Sequence, residues 1–220
     1  MKVAVFGATG RVGTLVVQAL LDSGHEAVSV SRSAPNKQYQ GKYVSLVGDM
    51  TDPAFVRSVM ADCSGLIFCV GQRLKSEKNL FSKNLSPADI RTQIVKAIMH
   101  VIGADHSKRV VYLSAFGVGK ELKQHALLFR MVLRLSSLGK SFEDHNQAEG
   151  IVRASKTSWT IVRPPGLTDR DEEVPLVDAQ GKWSSFMTVT KKSLAQYLVQ
   201  TLGNNNMDQQ TLTVIEQTKS

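Results

Sequence analysis

Residues 2–32, KVAVFGATGRVGTLVVQALLDSGHEAVSVSR, decide how the rest of the chain is read. Lys2 to Phe6 is short, apolar and rich in β-branched residues, the pattern of a buried strand. Val12, Leu15, Val16, Ala19 and Leu20 then fall on one face of a helix, and Glu26 to Val30 reads as a second strand. Between the first strand and the helix stand Gly7, Gly10 and Gly13, spaced G-x-x-G-x-x-G. Strand, glycine turn, helix and strand in this order predict half of a dinucleotide-binding α/β fold.

Each glycine has a separate physical task. The first lets the strand turn sharply, the second removes a Cβ where a pyrophosphate approaches backbone N–H groups, and the third lets the helix pack closely on the strand. The helix then offers unpaired N–H groups and a partial positive charge to that anion. Thr9, Arg11 and Val12 lie in the same turn and join the three glycines as candidate cofactor contacts. At the end of the second strand a carboxylate would serve a ribose 2′-OH, whereas a 2′-phosphate needs a cation. This chain has Ser31, Arg32 and Ser33 there. A guanidinium can grip phosphate oxygens bidentately, so NADP(H) is expected over NAD(H), with Arg32 and Arg11 as its phosphate ligands. The plainer reading of Arg32 is a solvated loop residue.

The 220 residues suffice for one ample domain, expected to span 1–220, and leave little room for a separate substrate domain. A net charge of +8 and a pI near 9.6 favour anionic partners. The basic residues are scattered, without zinc-finger or RNA-recognition spacing, so nucleic acid is not the expected partner. Cys63 and Cys69 lack the paired Cys/His neighbours of a metal site, and no metal is expected. Cys69 sits in an apolar run and reads as a small buried hydrophobe, in keeping with a reducing, cytoplasmic compartment. Gly7 and Gly10 interrupt the first apolar run too early for a secretory leader, and no membrane span is expected.

Further along, Lys42 to Val47 restores a strand that ends at Gly48-Asp49-Met50. Asp49 there could accept from an adenine amino group with Met50 against the ring; equally, Asp49 could be a turn-forming acid. Asp52-Pro53 opens a helix as N-cap and first helical residue. Gly65 to Val70 is a continuous apolar strand stopping at Gly71, where backbone could pass close to a cofactor ribose. Gln72 to Leu85, carrying Arg73, reads as a loop long enough to wall a substrate site. Ser86-Pro87-Ala88-Asp89 is a capping box before a helix, and Arg109 to Leu113 is the strand that delivers Ser114 to its carboxyl end.

Glu121 to Leu138 reads as a helix that is either buried on several sides or faces a partner subunit, and a monomer and a homodimer both fit. Ser141-Phe142-Glu143-Asp144 is a second capping box, opening a helix through about Ala154 on which His145, Ala148 and Val152 share the inward face. After the strand Ser158 to Val162, Arg163-Pro164-Pro165-Gly166 forms a stiff loop whose Pro164 and Pro165 could present backbone to a nicotinamide carboxamide. Asp169 to Glu173 is acidic and reads as mobile. Trp183 to Val189 reads as a late strand, Thr190 as the cap of a final helix, and Thr211 to Ile215 as an edge strand.

Together GATGRVG, SRS, GDMTD, LSAFGVG, DHNQAE and TIVRPPG resemble the atypical short-chain dehydrogenase/reductases, in the NAD(P)H-binding group related to biliverdin IXβ reductase/flavin reductase and the NmrA-like proteins. The resemblance covers nearly the whole chain in the same order. It implies a Rossmann-type, doubly wound, mostly parallel sheet of seven or eight strands that binds NADPH, with substrate over the nicotinamide. The larger superfamily reduces carbonyls with a Tyr-x-x-x-Lys pair, and no tyrosine here has a lysine four residues later. Flavin, quinone or tetrapyrrole acceptors need that proton relay less, because the incoming charge spreads over a conjugated system. By motif, Ser114 in LSAF and His145 in DH match the serine and histidine that sit beside the nicotinamide in such reductases. The helix start would pull the histidine's pKa down and Asp144 and Glu149 would pull it up. The resemblance also implies an alternative, an NmrA-like regulator that senses the dinucleotide without turnover.

Overall fold

β1 (Lys2–Phe6) is buried at four of its five positions because it lies mid-sheet, paired in parallel with β2 (Glu26–Ser31) and with β4 (Gly65–Phe68). The computed structural model describes residues 1–72, 85–119, 137–181 and 187–217. Around β1 an eight-stranded sheet runs in the order β3-β2-β1-β4-β5-β6-β10-β8, with β3 Tyr43–Val47, β5 Arg109–Leu113, β6 Ser158–Arg163, β8 Leu176–Asp178 and β10 Gln210–Glu216. Every pairing is parallel except β10 with β8. Two short strands, β7 (Gly166–Thr168) and β9 (Thr188–Thr190), form a separate parallel pair.

Such a sheet must be covered on both faces. α1 (Gly13–Asp22) and α5 (Lys191–Leu202) bury Val16, Val17, Leu20, Leu194 and Leu198 against one face. α2 (Pro53–Met60), α3 (Ile90–Ile102) and α4 (Ser137–Ala154) bury Val56, Met60, Ile94, Ile98, Ala148 and Val152 against the other. Val16, Val17 and Leu20 are wholly buried, each stabilising the fold by about 1.5–3 kcal/mol relative to exposure. The strand order reverses between β1 and β4, so a crevice opens at their carboxyl ends. The expected doubly wound architecture is the one observed.

Several local expectations are met by their physical causes. Asp52 accepts from the Ala54 N–H at 2.9 Å, with Pro53 at the first helical position of α2. Thr190 accepts from the Ser193 N–H at 3.0 Å and caps α5. Cys63 and Cys69 are free and buried, and burial pushes the Cys69 thiol up to about 12, so it stays protonated and inert.

Others are corrected. The capping box at Ser141 does not open a helix, because α4 already begins at Ser137 and runs through it. At α3 the Asp89 side chain turns to Gln93 (2.9 Å) and does not cap. The cap comes instead from another helix: the Asp144 carboxylate accepts from the N–H of Arg91 at 3.1 Å and of Thr92 at 2.9 Å. β4 ends at Phe68, two residues before the apolar run does. β10 is not an edge, since β8 covers its outer side. The acidic run makes ion pairs: Lys191 bonds Asp169, Lys192 pairs with Asp171 and Glu173, and Arg170 bridges to Glu172 and Glu216. Most of the expected helix at 121–138, most of the loop at 72–85 with Arg73, and the start of the strand at 183–189 lie outside the described residues. Among those described, no helix is long and apolar enough to cross a membrane.

Candidate cofactor and active site

Gly7 closes β1 with φ +83°, and a Cβ there would lie 2.9 Å from the Cys69 carbonyl carbon and oxygen. At Gly13 a Cβ would stand 2.2 Å from the Gly7 carbonyl oxygen, so only glycine lets α1 start this close to the turn. Gly10 also serves the turn itself, donating to the Gly7 carbonyl at 3.0 Å. Thr9, Gly10 and Arg11 are exposed, whereas the Val12 side chain is buried and leaves only its backbone to the crevice. Val12 is the N-cap of α1 without a side-chain cap bond, and the first turn holds no acidic residue. The positive end of this ten-residue helix therefore faces the switch point without a side-chain anion of its own. This is the cradle a pyrophosphate requires.

Arg32 is exposed directly after β2, and the buried Ser31 donates to the Ser33 carbonyl at 2.6 Å to close the turn. Asp49 accepts from the Thr51 N–H (2.9 Å) and hydroxyl (2.7 Å), bonds that hold its pKa below the usual range, with a lesser pull from Arg32. One carboxylate oxygen thus forms the turn that the plainer reading foresaw. The Met50 side chain points into the core, 4% exposed, so only its backbone lies near the strand end.

The remaining candidates stand at the ends of β4, β5 and β6, across β1 from β2. The Val70 carbonyl accepts from the Arg91 Nε at 3.1 Å, and Gly71 is exposed, with nothing within 4 Å of where a Cβ would stand. The Pro164 carbonyl accepts from the Phe116 N–H at 2.9 Å, which fixes the loop after β6 beside the loop after β5; Pro165 is half-buried. Ser114 follows β5 and donates to the Glu149 carboxylate at 2.5 Å. Glu149 is fully buried and takes further bonds from Arg163 Nε (2.9 Å), Arg163 Nη2 (2.6 Å) and Arg153 (2.6 Å). His145 Nδ1 lies 2.9 Å from the Tyr112 hydroxyl, and the two rings meet edge to face. Burial, then the Arg91 and Arg163 guanidinium groups, hold His145 well below its ordinary pKa, so the imidazole is neutral at pH 7. The carboxylates expected to raise it have other partners: Asp144 caps α3 and pairs with Arg91 at 3.2 Å, and Glu149 serves Ser114 and the arginines.

Sequence reasoning gave no role to Tyr112, Arg91 or Arg153. Tyr112 carries a readable signal, since it stands two residues before Ser114 and so faces the same side of the sheet. The pairing of Arg91 with Asp144 spans 53 residues and leaves no local trace. A groove of about 1090 Å³ lies between α3 and α4, but its lining, including Lys96, His100, Gln147 and Ile151, takes nothing from the glycine turn or the strand ends. Among the described residues no cluster of three or more His, Cys, Asp or Glu is arranged to hold a metal.

A doubly wound sheet with a glycine-lined helix end at its switch point defines a dinucleotide-binding protein. The particular family follows from comparison: the family model described as NAD(P)H-binding matches residues 7–205, and the chain belongs to that family. A curated relative, oxidoreductase tpcG of Aspergillus fumigatus, is 26% identical over 180 residues, 76% of this chain and 66% of its own length. The chain therefore spans just under two thirds of that relative. Among solved structures, ChuY, an anaerobilin reductase of Escherichia coli O157:H7, superposes with a TM-score of 0.75 at 17% identity, covering 100% of this chain and 99% of its own. A putative NADH-flavin reductase of Streptococcus pneumoniae superposes at 0.72 with 14% identity, covering 99% and 100%. These likenesses establish the shared fold.

Proposed function

We propose that the protein is an NADPH-dependent oxidoreductase acting on a flat conjugated acceptor of the flavin, quinone or tetrapyrrole class. The observation that carries this reading is the pairing of a glycine-lined helix end with two polar side chains, Ser114 and His145, each locked from behind by a buried partner. When bound, NADPH would supply the hydride. Backbone N–H groups of Thr9, Arg11, Val12 and Gly13 would hold its pyrophosphate, with the Arg11 side chain beside it, and Arg32 would take the 2′-phosphate that distinguishes it from NADH. Asp49, Val70 and Gly71 would line the adenosine and ribose, with the Met50 backbone, and Pro164 and Pro165 would flank the carboxamide. Ser114 and His145 would orient the reacting groups; a neutral His145 gives a hydrogen bond without giving up a charge. No Tyr-x-x-x-Lys relay is needed, because an acceptor that delocalises negative charge can take its proton from water. The neighbours, an anaerobilin reductase and an NADH-flavin reductase, support this acceptor class, as does the fungal oxidoreductase.

The test is NADPH consumption with FMN, a quinone and a linear tetrapyrrole in turn. Turnover with at least one, falling by about 10²-fold or more in Ser114→Ala, is expected for a group that orients the reactants. Tight NADPH binding with no turnover across the panel would instead leave a dinucleotide sensor.

A further inference from the structure

Tyr112 and Ser114 stand two residues apart at the end of β5 and face the same side of the sheet, while His145 and Glu149 stand one turn apart on α4. β5 and β6 are parallel, so α4 between them returns antiparallel to both. His145, earlier on α4, therefore lies toward the crevice and Glu149 deeper; on β5 the crevice residue is Ser114 and the deep one Tyr112. Exposure agrees, at 0% for Tyr112 and Glu149 against 5% for Ser114 and 7% for His145. Each crevice group is held by the deep group of the opposite element.

We propose that Tyr112 and Glu149 are positioning residues that give the two crevice groups opposite hydrogen-bonding sense, His145 presenting a fixed Nε2–H donor and Ser114 presenting only lone pairs. Among the described residues the buried Tyr112 hydroxyl has no partner other than His145 Nδ1, so its hydrogen lies in that bond and Nδ1 accepts. A neutral imidazole that accepts at Nδ1 carries its one N–H hydrogen at Nε2. The groups facing the ring from other elements, Arg91 of α3, Tyr112 of β5 and Arg163 of β6, all oppose or fail to favour a second proton. At Ser114 the single hydroxyl hydrogen is committed to the Glu149 carboxylate, which two arginines hold in place, so the oxygen can only accept from the crevice.

The consequence is a polarity code, resting on the proposed oxidoreductase reading for what occupies the crevice. Beside Ser114 fits an N–H donor such as a carboxamide. Beside His145 fits an atom with an uncharged lone pair, a conjugated carbonyl oxygen or imine nitrogen, and an ammonium or other cationic donor is refused.

The experiment is a long-range ¹H–¹⁵N correlation spectrum of histidine-labelled protein, with His145 identified by its loss in His145→Gln. The expected result is an Nε2–H tautomer unchanged between pH 7.5 and 6, giving way to a tautomer mixture in Tyr112→Phe while the other histidines stay put. An Nδ1–H tautomer or an imidazolium in the unmodified protein would overturn the proposal. This readout needs no turnover, so a failure of the oxidoreductase reading would show separately, in the acceptor panel. For the second arm, Glu149→Gln, checked for folding by circular dichroism, puts an NH2 donor in place of one carboxylate oxygen, so that it competes for the Ser114 oxygen, and should weaken NADPH binding about tenfold. In the double variant with Ser114→Ala no further loss is expected; losses that add would show that Glu149 does not act through the serine.

Discussion

Gly13 shows how one missing methyl decides a site. With a Cβ placed 2.2 Å from the Gly7 carbonyl oxygen, Gly13→Ala must move α1 off the turn. A cost of about 1–3 kcal/mol is expected for such overpacking, lowering Tm by about 2–4 °C per kcal/mol in a chain of this size. NADPH titration should show a larger loss than the melting shift explains, because the displaced helix end is the proposed phosphate cradle. Arg32 tests the other end: Arg32→Asp should weaken NADPH at least tenfold more than NADH, whereas equal losses would show that it does not hold the 2′-phosphate. The glycines were legible because their spacing encodes a local steric demand. Ser114 and His145 were legible as positions, but what they touch was not: Glu149 lies 35 residues from Ser114 and Tyr112 lies 33 from His145.

At the scale of elements, the informative failure concerns helix starts. Two capping boxes pointed to N-termini at Ser86 and Ser141; one is bypassed by a helix that began earlier, and the other yields to a carboxylate from a different helix. Short polar motifs report what a chain can do locally, and tertiary partners decide whether it does. The Asp144 carboxylate accepts four bonds from α3, from the N–H groups of Arg91 and Thr92, the Thr92 hydroxyl at 2.8 Å and the Arg91 guanidinium. Removing it leaves a buried guanidinium unpaired as well as a helix end uncapped. Asp144→Ala should therefore cost about 3–5 kcal/mol in a urea melt, and Asp144→Asn, which keeps an acceptor but not the charge, should recover part of it. A cost near the level of a surface substitution would mean that water or another group replaces the carboxylate.

Across the whole molecule, the doubly wound class was legible in the α/β alternation, and the surprise lies at the far edge, where β8 pairs antiparallel with β10 and closes the parallel sheet. Nothing in the three residues Leu176–Asp178 announces a strand, because a strand so short is set by its neighbour rather than by its own pattern. The buried neutral histidine gives the fold a pH signature. His145 has a folded pKa below its unfolded value, so between the two the unfolded chain holds one more proton and stability falls as pH falls. From pH 7 downward through the ordinary histidine pKa of 6.5, the unfolding free energy should decline by up to about 1.4 kcal/mol per pH unit from this group. In His145→Gln the slope should flatten over the same interval; an unchanged slope would assign the effect to other groups. The net charge of +8 should also make NADPH binding weaken as ionic strength rises. The cap that α4 lends to α3 has a further consequence during biosynthesis. Residues 90–102 leave the ribosome some fifty residues ahead of the carboxylate that finishes their first turn, so α3 emerges with that turn open. A nascent chain stalled before Asp144 should remain protease-sensitive there, and release a few dozen residues later should confer protection in one step.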